Sequence, residues 1–229
     1  MADFVSDGLG KSTGNIGRRQ ITPHKSASMS WSLFDNRGRR KYLVESERAA
    51  FLREAMRMGG EIASFCAVLA LCGPRISEAL ELTHERIDFA DSAIIFETLK
   101  RRRKGIMRAV PVPPELLDIL DGVHGARTAR LDEMRSHQRL WRWSRTTAWR
   151  NVREVMLAAG IPVHLAKPKS LRHGFGAAAA SNLVVITLIK KWLGHARLET
   201  TEHYTSLLGD EERQLASQSW RGLRGELRL

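Results

Sequence analysis

The sequence has few cysteines and no apolar run long enough to cross a membrane. Two cysteines among 229 residues exclude a disulfide-stapled scaffold. Cys66 and Cys72 lie in an apolar segment with a helical pattern, so we expect small buried side chains in a reducing compartment. That segment, residues 62–72, contains Ser64 and is shorter than the roughly 18 residues of a membrane span. Residues 1–7 are acidic where a secretory signal is basic and then apolar, so we predict a cytoplasmic protein with no membrane partner.

Acidic residues are also in short supply. The chain has 25 Asp and Glu against 37 Lys and Arg, which gives a formal net charge of +12 and a pI near 10.5. Such a surplus favours a polyanionic partner such as DNA, RNA or an anionic membrane surface, although a merely soluble basic protein is an alternative. Hydrophobic residues make up 43% of the chain, enough for a globular core, and this excludes wholesale disorder. The length fits one domain with a short additional arm.

Hydrophobic periodicity predicts a mainly α-helical fold with a small antiparallel β-sheet, an α+β class. Residues 1–41 have little hydrophobic pattern, and we predict a flexible basic arm with a local anchor at Trp31 and Phe34. We expect helices from a cap at Ser46 to residue 58, and at about 61–71, 75–82, 114–120 and 146–159, with further helical pieces after 169. Two strands, at 93–99 and 107–112, flank the basic segment 100–105 and predict a β-hairpin with a positively charged tip.

Three short patterns hold the residues of chemical interest. The first is Gly-Pro-Arg-Ile-Ser-Glu at 73–78, at the predicted start of a helix. The second is Leu-Arg-His-Gly at 171–174, which we place just before a helix of small residues at 177–180. The third is Leu-Gly-His at 193–195, followed nine residues after the histidine by Tyr204. Singly none is specific, because an arginine at a helix start is usually solvated and a lone histidine is usually structural.

In this order and at this spacing the three patterns resemble the catalytic domain of the tyrosine recombinase (phage integrase) family. The resemblance runs over about residues 42–212 and implies the DNA breaking-rejoining enzyme fold. We therefore assign residues 1–41 to the arm, 42–212 to a catalytic domain and 213–229 to a C-terminal tail. The tail and the residues before it carry apolar side chains that either dock on a neighbouring protomer or pack on their own domain. These are Leu207, Leu208, Leu215 and Trp220.

The resemblance also implies roles for individual residues. Tyr204 is the expected nucleophile, and a phenol with a pKa near 10 is ionised in only about one molecule in a thousand at neutral pH, so it needs a base or a cationic field. Arg75 and Arg172 are expected to grip the phosphate, since paired guanidiniums match its oxygens. His173 is expected to act as the base, and His195 to hydrogen-bond the phosphate. Glu78 is expected to orient an active-site guanidinium or His173.

In the family, a lysine on the hairpin donates a proton to the leaving oxygen. Lys100, at the end of the first strand, fits this placement better than Lys104 near the returning strand, and both remain open. The remaining tip residues, Arg101, Arg102 and Arg103, are expected to contact DNA phosphates, as is Lys104 if it is not the donor. The alternative is that the whole basic tip only contacts phosphates.

Two departures from the family pattern stand out. Lys169 occupies the position, three residues before Arg172, where the family often has histidine; we expect it to keep the positive charge while altering proton management. Only about 41 residues precede the catalytic region, where typical members have a helical core-binding domain of about a hundred residues. We therefore expect half of the DNA clamp to be missing and the protein alone not to bind DNA both tightly and site-specifically; whether an accessory DNA-binding partner replaces the missing half is left open.

The function implied is site-specific DNA recombination through a 3′-phosphotyrosyl intermediate, with no metal, cofactor or ATP. Members of the family work as four protomers on two duplexes, so a homo-tetramer is expected at synapsis. Relaxation of supercoils is the enzymatic activity nearest to recombination. A catalytically idle DNA-binding accessory protein on the same fold is the alternative. A zinc protein using His173, His195 and His203 is disfavoured. These histidines lack the paired spacing of zinc ligands, and no cysteine accompanies them in the sequence.

Overall fold

The computed structural model describes residues 35–99, 105–182, 184–194, 216–217 and 219–227. Helices predominate in these residues, and a small antiparallel sheet accompanies them, which confirms the predicted fold class. The helices are α1 Glu45–Met58, α2 Gly60–Cys72, α3 Ile76–Leu80, α4 Pro114–His124, α5 Ala126–Leu131, α6 Glu133–Ser136, α7 Arg145–Ala158, α8 Pro168–Ser181 and α9 Ile186–Leu193. No helix in the described residues is both long and apolar enough to cross a bilayer.

Helix α2 forms the centre of the core. Every residue from Ala63 to Cys72 is buried, and helices α1, α3, α4, α7 and α8 all pack against it. A helix that is apolar on all sides is stable only when neighbours cover it on all sides, as here. Cys66 and Cys72 are buried and unbridged as predicted, and burial raises the pKa of both thiols.

Two helix starts differ from the predictions. Helix α1 is capped at Val44 and not at Ser46. The side chain of Glu47 accepts the Val44 N–H at 3.0 Å, which fixes the helix start two residues earlier than predicted. Helix α3 is shorter than the predicted 75–82, because Arg75 is its N-cap and the helix ends at Leu80. Arg40, within the predicted arm, forms an ion pair with Glu47 at the start of α1.

The sheet has three antiparallel strands in the order β1-β2-β3. They are β1 Ile87–Asp88, β2 Ala93–Glu97 and β3 Met107–Pro111, with Ile95 opposite Ala109 in the hairpin. The predicted hairpin is confirmed, while its basic tip at 100–104 lies outside the described residues. Strand β1 was not predicted, because two residues are too short a stretch to show a period.

The described part of the C-terminal tail packs on its own domain. Trp220, Leu223 and Leu227 are buried, and the 3-10 turn Arg224–Leu227 contacts α1 and α4. Two ion pairs of 2.7 Å reinforce this contact, one between Arg53 and Glu226 and one between Arg224 and Glu115. Docking of the tail on a neighbouring protomer stays a prediction.

Candidate functional site

The turn between α2 and α3 places Arg75 against Glu78. Gly73 ends α2 with φ +61°, and a Cβ there would lie 2.8 Å from the Phe175 ring, so a residue without a side chain is required. Glu78 then reaches back one turn. Its carboxylate accepts the Arg75 backbone N–H at 2.9 Å and the Arg75 Nη1 at 2.6 Å. The Glu78 side chain is fully buried, whereas that of Arg75 remains 30% exposed and so is partly accessible.

Arg172 reaches the same turn from α8. Its Nη1 donates to the Gly73 carbonyl at 2.9 Å and lies 3.9 Å from Glu78 Oε2, while Nη2 donates to the Leu193 carbonyl. Residues 171–174 lie inside α8 and not before a helix, which corrects the prediction. Burial, and then the charge of Arg75, lowers the Arg172 pKa to about 9, so this guanidinium is still a cation at neutral pH. Two patterns almost a hundred positions apart in sequence thus meet at one point.

A third arginine, Arg108 on β3, completes the cluster and was missed by the sequence analysis. Its Nη2 donates to Glu78 Oε2 at 2.6 Å, and its side chain is only 5% exposed. The alternation of inward and outward side chains along a strand could have revealed it. Arg108 stands two and four positions before the buried Val110 and Val112, so it points to the same side. A charged residue at an inward position of a strand needs a buried partner.

Among the described residues, three cations and one anion meet in this cluster, an excess of two positive charges. Burial alone would raise the Glu78 pKa, but the charges of Arg108 and Arg75 and the hydrogen bonds from Arg75 outweigh it and lower the pKa. Glu78 is therefore ionised, and its charge offsets only one of the guanidiniums. Because an excess of buried or half-buried cations is costly without a counter-charge, the cluster is suited to an anion such as a phosphate.

His173 follows Arg172 on α8 and is neutral. Its burial, followed by the charges of Lys169 and Arg172, lowers its pKa to about 4. Lys169 lies one helical turn earlier and is exposed. A neutral imidazole can accept a proton at pH 7, which an imidazolium cannot.

The other residues singled out from the sequence lie outside the described residues, and their roles stay predictions. They are Lys100, Arg101, Arg102, Arg103, Lys104, His195 and Tyr204. Helix α9 ends at Leu193, and Gly194, with φ +62°, caps it directly before His195 in the sequence. In the part of the chain that the structure describes, no group of three or more His, Cys, Asp or Glu is placed to hold a metal ion.

The sequence profile described as "Phage integrase family" matches residues 41–210. The chain belongs to this family. Tyrosine recombinase XerA of Pyrococcus furiosus is 32% identical over 138 residues, which are 58% of this chain and 46% of the relative. Tyrosine recombinase XerC of Chromobacterium violaceum is 31% identical over 142 residues, 59% of this chain and 44% of the relative. This phage integrase family member thus matches less than half the length of these two curated relatives.

Solved structures agree with this family and with the fold. A crystal structure of XerA recombinase superposes with a TM-score of 0.57 at 28% identity, over 77% of this chain and 64% of that one. XerH site-specific recombinase bound to its difH substrate, in a pre-cleavage complex, also gives 0.57, at 17% identity over 82% of this chain and 59% of that one. At that lower identity the likeness is one of fold.

Proposed function

We propose that this protein is a site-specific DNA recombinase that cleaves and rejoins strands through a phosphotyrosine. The observation that carries the proposal is the pairing of Arg75 and Arg172 beside the buried Glu78, in a cluster with two surplus positive charges. A phosphodiester supplies the matching negative charge, and fixed cations stabilise the charge that grows at phosphorus during displacement. Membership of the phage integrase family supports the same reaction class.

The proposed reaction is an exchange of one phosphodiester for another. The Tyr204 hydroxyl oxygen attacks the phosphorus, the bond from phosphorus to the 5′-oxygen breaks, and a 3′-phosphotyrosyl link remains. His173 accepts the tyrosine proton, and Lys100, or Lys104 in its place, donates a proton to the departing 5′-oxygen. His195 adds a hydrogen bond to the phosphate, and Lys169 adds positive charge nearby. Attack by a 5′-hydroxyl of the partner strand reverses the step, so no ATP is consumed.

Double-stranded DNA is the proposed substrate. The net charge of +12 supplies long-range attraction, and Arg101, Arg102 and Arg103 on the hairpin tip are proposed to contact its backbone. Four protomers on two sites are proposed for strand exchange. An accessory DNA-binding partner is proposed as well, and the protein is proposed to act in the cytoplasm on a nucleoid or plasmid.

The test is covalent trapping on nicked fragments of the protein's own replicon DNA in EDTA. Wild type is expected to form a protein–DNA adduct that survives a denaturing gel. Tyr204→Phe is expected to bind the fragments with unchanged affinity and form no adduct, because only the nucleophilic oxygen is gone. Tyr42→Phe is the matched control, since the chain has only these two tyrosines.

Two results would contradict the proposal. An adduct that persists in Tyr204→Phe would place the nucleophile elsewhere. DNA binding without any wild-type adduct, even with host extract added, would support the idle accessory protein instead.

A further inference from the structure

The guanidinium of Arg108 joins three segments that the proposed chemistry uses. Nη2 binds the Glu78 carboxylate at 2.6 Å, Nε donates to the Trp192 carbonyl at 2.7 Å, and Nη1 donates to Thr98 Oγ1 at 3.0 Å. Glu78 orients Arg75, Trp192 lies in the last turn of α9, and Thr98 stands just before the hairpin tip. One side chain therefore connects the turn between α2 and α3, the C-terminal end of α9 and the base of the hairpin.

Only arginine can make these three contacts together. Its nitrogen atoms are fixed in one plane and point in different directions, whereas a lysine has one nitrogen on a flexible stem. The Phe96 ring, whose centroid lies 5.4 Å from Arg108 Cζ, supports the guanidinium from one side. The site is closely packed as well, because a Cβ on Gly194 would lie 3.1 Å from Arg108 Nη1.

The two oxygens of Glu78 are divided between the arginines. Oε1 accepts from Arg75, and Oε2 accepts from Arg108 as well as from the Arg75 backbone. Nη1 of Arg172 stays 3.9 Å from Oε2 and donates to the Gly73 carbonyl, and Nη2 donates to the Leu193 carbonyl. With Arg108 removed, Oε2 would lose a buried cationic partner, and we expect Arg172, whose Nη1 lies 3.9 Å away, to move onto it and so displace its guanidinium.

We propose that Arg108 is a positioning residue, which occupies Glu78 Oε2 so that Arg75 and Arg172 are held toward the phosphate. This inference rests on the proposed function for its catalytic consequence. In the described residues, the charged groups that face Glu78 come from three segments: Arg75 directly before α3, Arg108 on β3 and Arg172 on α8. Among the influences that lower the Glu78 pKa, the charge of Arg108 is the largest, in agreement with the contact.

The test combines kinetics with a double-mutant cycle. Adduct formation on nicked replicon fragments is measured at saturating protein, with DNA affinity measured separately, for Arg108→Met, Glu78→Gln and the double variant. We expect Arg108→Met to slow the covalent step by about 10²-fold and to change affinity by less than about threefold. In the Glu78→Gln background the same change is expected to cost less than about fivefold, because Arg108 acts through Glu78. Arg108→Lys, which keeps the charge, is expected to lie between wild type and Arg108→Met.

Ser64→Ala is the control for a general loss of stability. Ser64 is buried in α2, accepts from Trp141 Nε1 at 3.1 Å and lies about 13 Å along the helix axis from Gly73. An equal slowing in Ser64→Ala, or a full 10²-fold loss from Arg108→Met in the Glu78→Gln background, would overturn the assignment.

A readout that needs no DNA separates this inference from the proposed function. Heteronuclear NOEs of the Arg75 and Arg172 side-chain Nε–Hε groups are expected to report rigid guanidiniums in wild type. In Arg108→Lys they are expected to report a mobile Arg75 or a shifted Arg172. Unchanged NOEs and chemical shifts would contradict the positioning role even if wild type forms no adduct, whereas a missing wild-type adduct alone counts against the function.

Discussion

Glu78 is the residue on which the candidate site depends. Its buried carboxylate is bonded to Arg75 and Arg108 and lies 3.9 Å from Arg172. Loss of this one charge would leave three cations close together with no counter-ion from the described part of the chain, a strongly destabilising arrangement when buried. The site therefore holds its cations in place before an anion binds. Glu78 offsets part of the free energy that their mutual repulsion costs.

Arg172→Ala tests the phosphate-binding role at this scale. We expect a loss on the order of 3 kcal/mol or more in transition-state stabilisation, roughly a 10²-fold slower adduct formation, by analogy with the removal of oxyanion donors. Single-turnover adduct formation measures it, with thermal melting recorded to separate any loss of folded protein. A rate within tenfold of wild type would contradict the role.

His173 offers a test based on pH. Its pKa of about 4 in the folded chain lies below the ordinary value of 6.5, because burial and neighbouring cations disfavour the imidazolium. The unfolded chain therefore takes up this proton first, so His173 reduces the free energy of unfolding as pH falls from about 6.5 towards 4. An NMR titration is expected to show no change in the His173 ring signals between pH 8 and about 5.5. A midpoint at 6.5 or above would contradict a neutral base.

At this scale, the sequence predicted part of the cluster. The patterns at 73–78 and 171–174 indicated Arg75, Glu78 and Arg172 only because together they resemble a family, since each alone is a common surface pattern. Arg108 was missed because it lies beside the basic segment 100–105 and resembles one more surface charge. Only the pairing of β3 with β2 and the packing of α9 show that it points inward.

Helix α8 shows why element boundaries were harder to predict than element types. Gly174 and Gly176 interrupt its pattern and indicated a break, yet both lie within the helix. A Cβ on Gly174 would come within 2.8 Å of the Leu43 carbonyl oxygen, and the Leu43 N–H donates to the Ser170 carbonyl at 3.4 Å. Glycine is there for its small size against another backbone, a long-range reason that no local pattern contains.

Gly174→Ala is the prediction that follows for this helix. Alanine favours helix by up to about 1 kcal/mol, but the conflict with a backbone oxygen outweighs this, and we expect a net loss of about 1–3 kcal/mol in the free energy of unfolding. Gly122→Ala is the matched control, because Gly122 lies within α4 and a Cβ added there would meet no atom within 4 Å. That change is expected to stabilise the protein by about 0.5–1 kcal/mol. Urea unfolding of both variants measures the difference. Stabilisation by both changes would contradict the close packing of α8.

The whole molecule carries a strong positive charge. Its formal net charge is +12. We therefore expect DNA affinity to come mainly from phosphate contacts and to fall by about 10²-fold or more between 50 and 200 mM salt. Fluorescence anisotropy with a labelled 30-bp duplex checks this. Affinity that is insensitive to salt would contradict a backbone-dominated interface.

The most direct measurement identifies the residue that becomes linked to DNA. The trapped adduct would be digested with nuclease and protease, and the nucleotide-bearing peptide sequenced by mass spectrometry. The account predicts a single modified residue, Tyr204, joined to a 3′-phosphate. Modification of Tyr42 or of any other side chain, or a link to a 5′-phosphate, would contradict it.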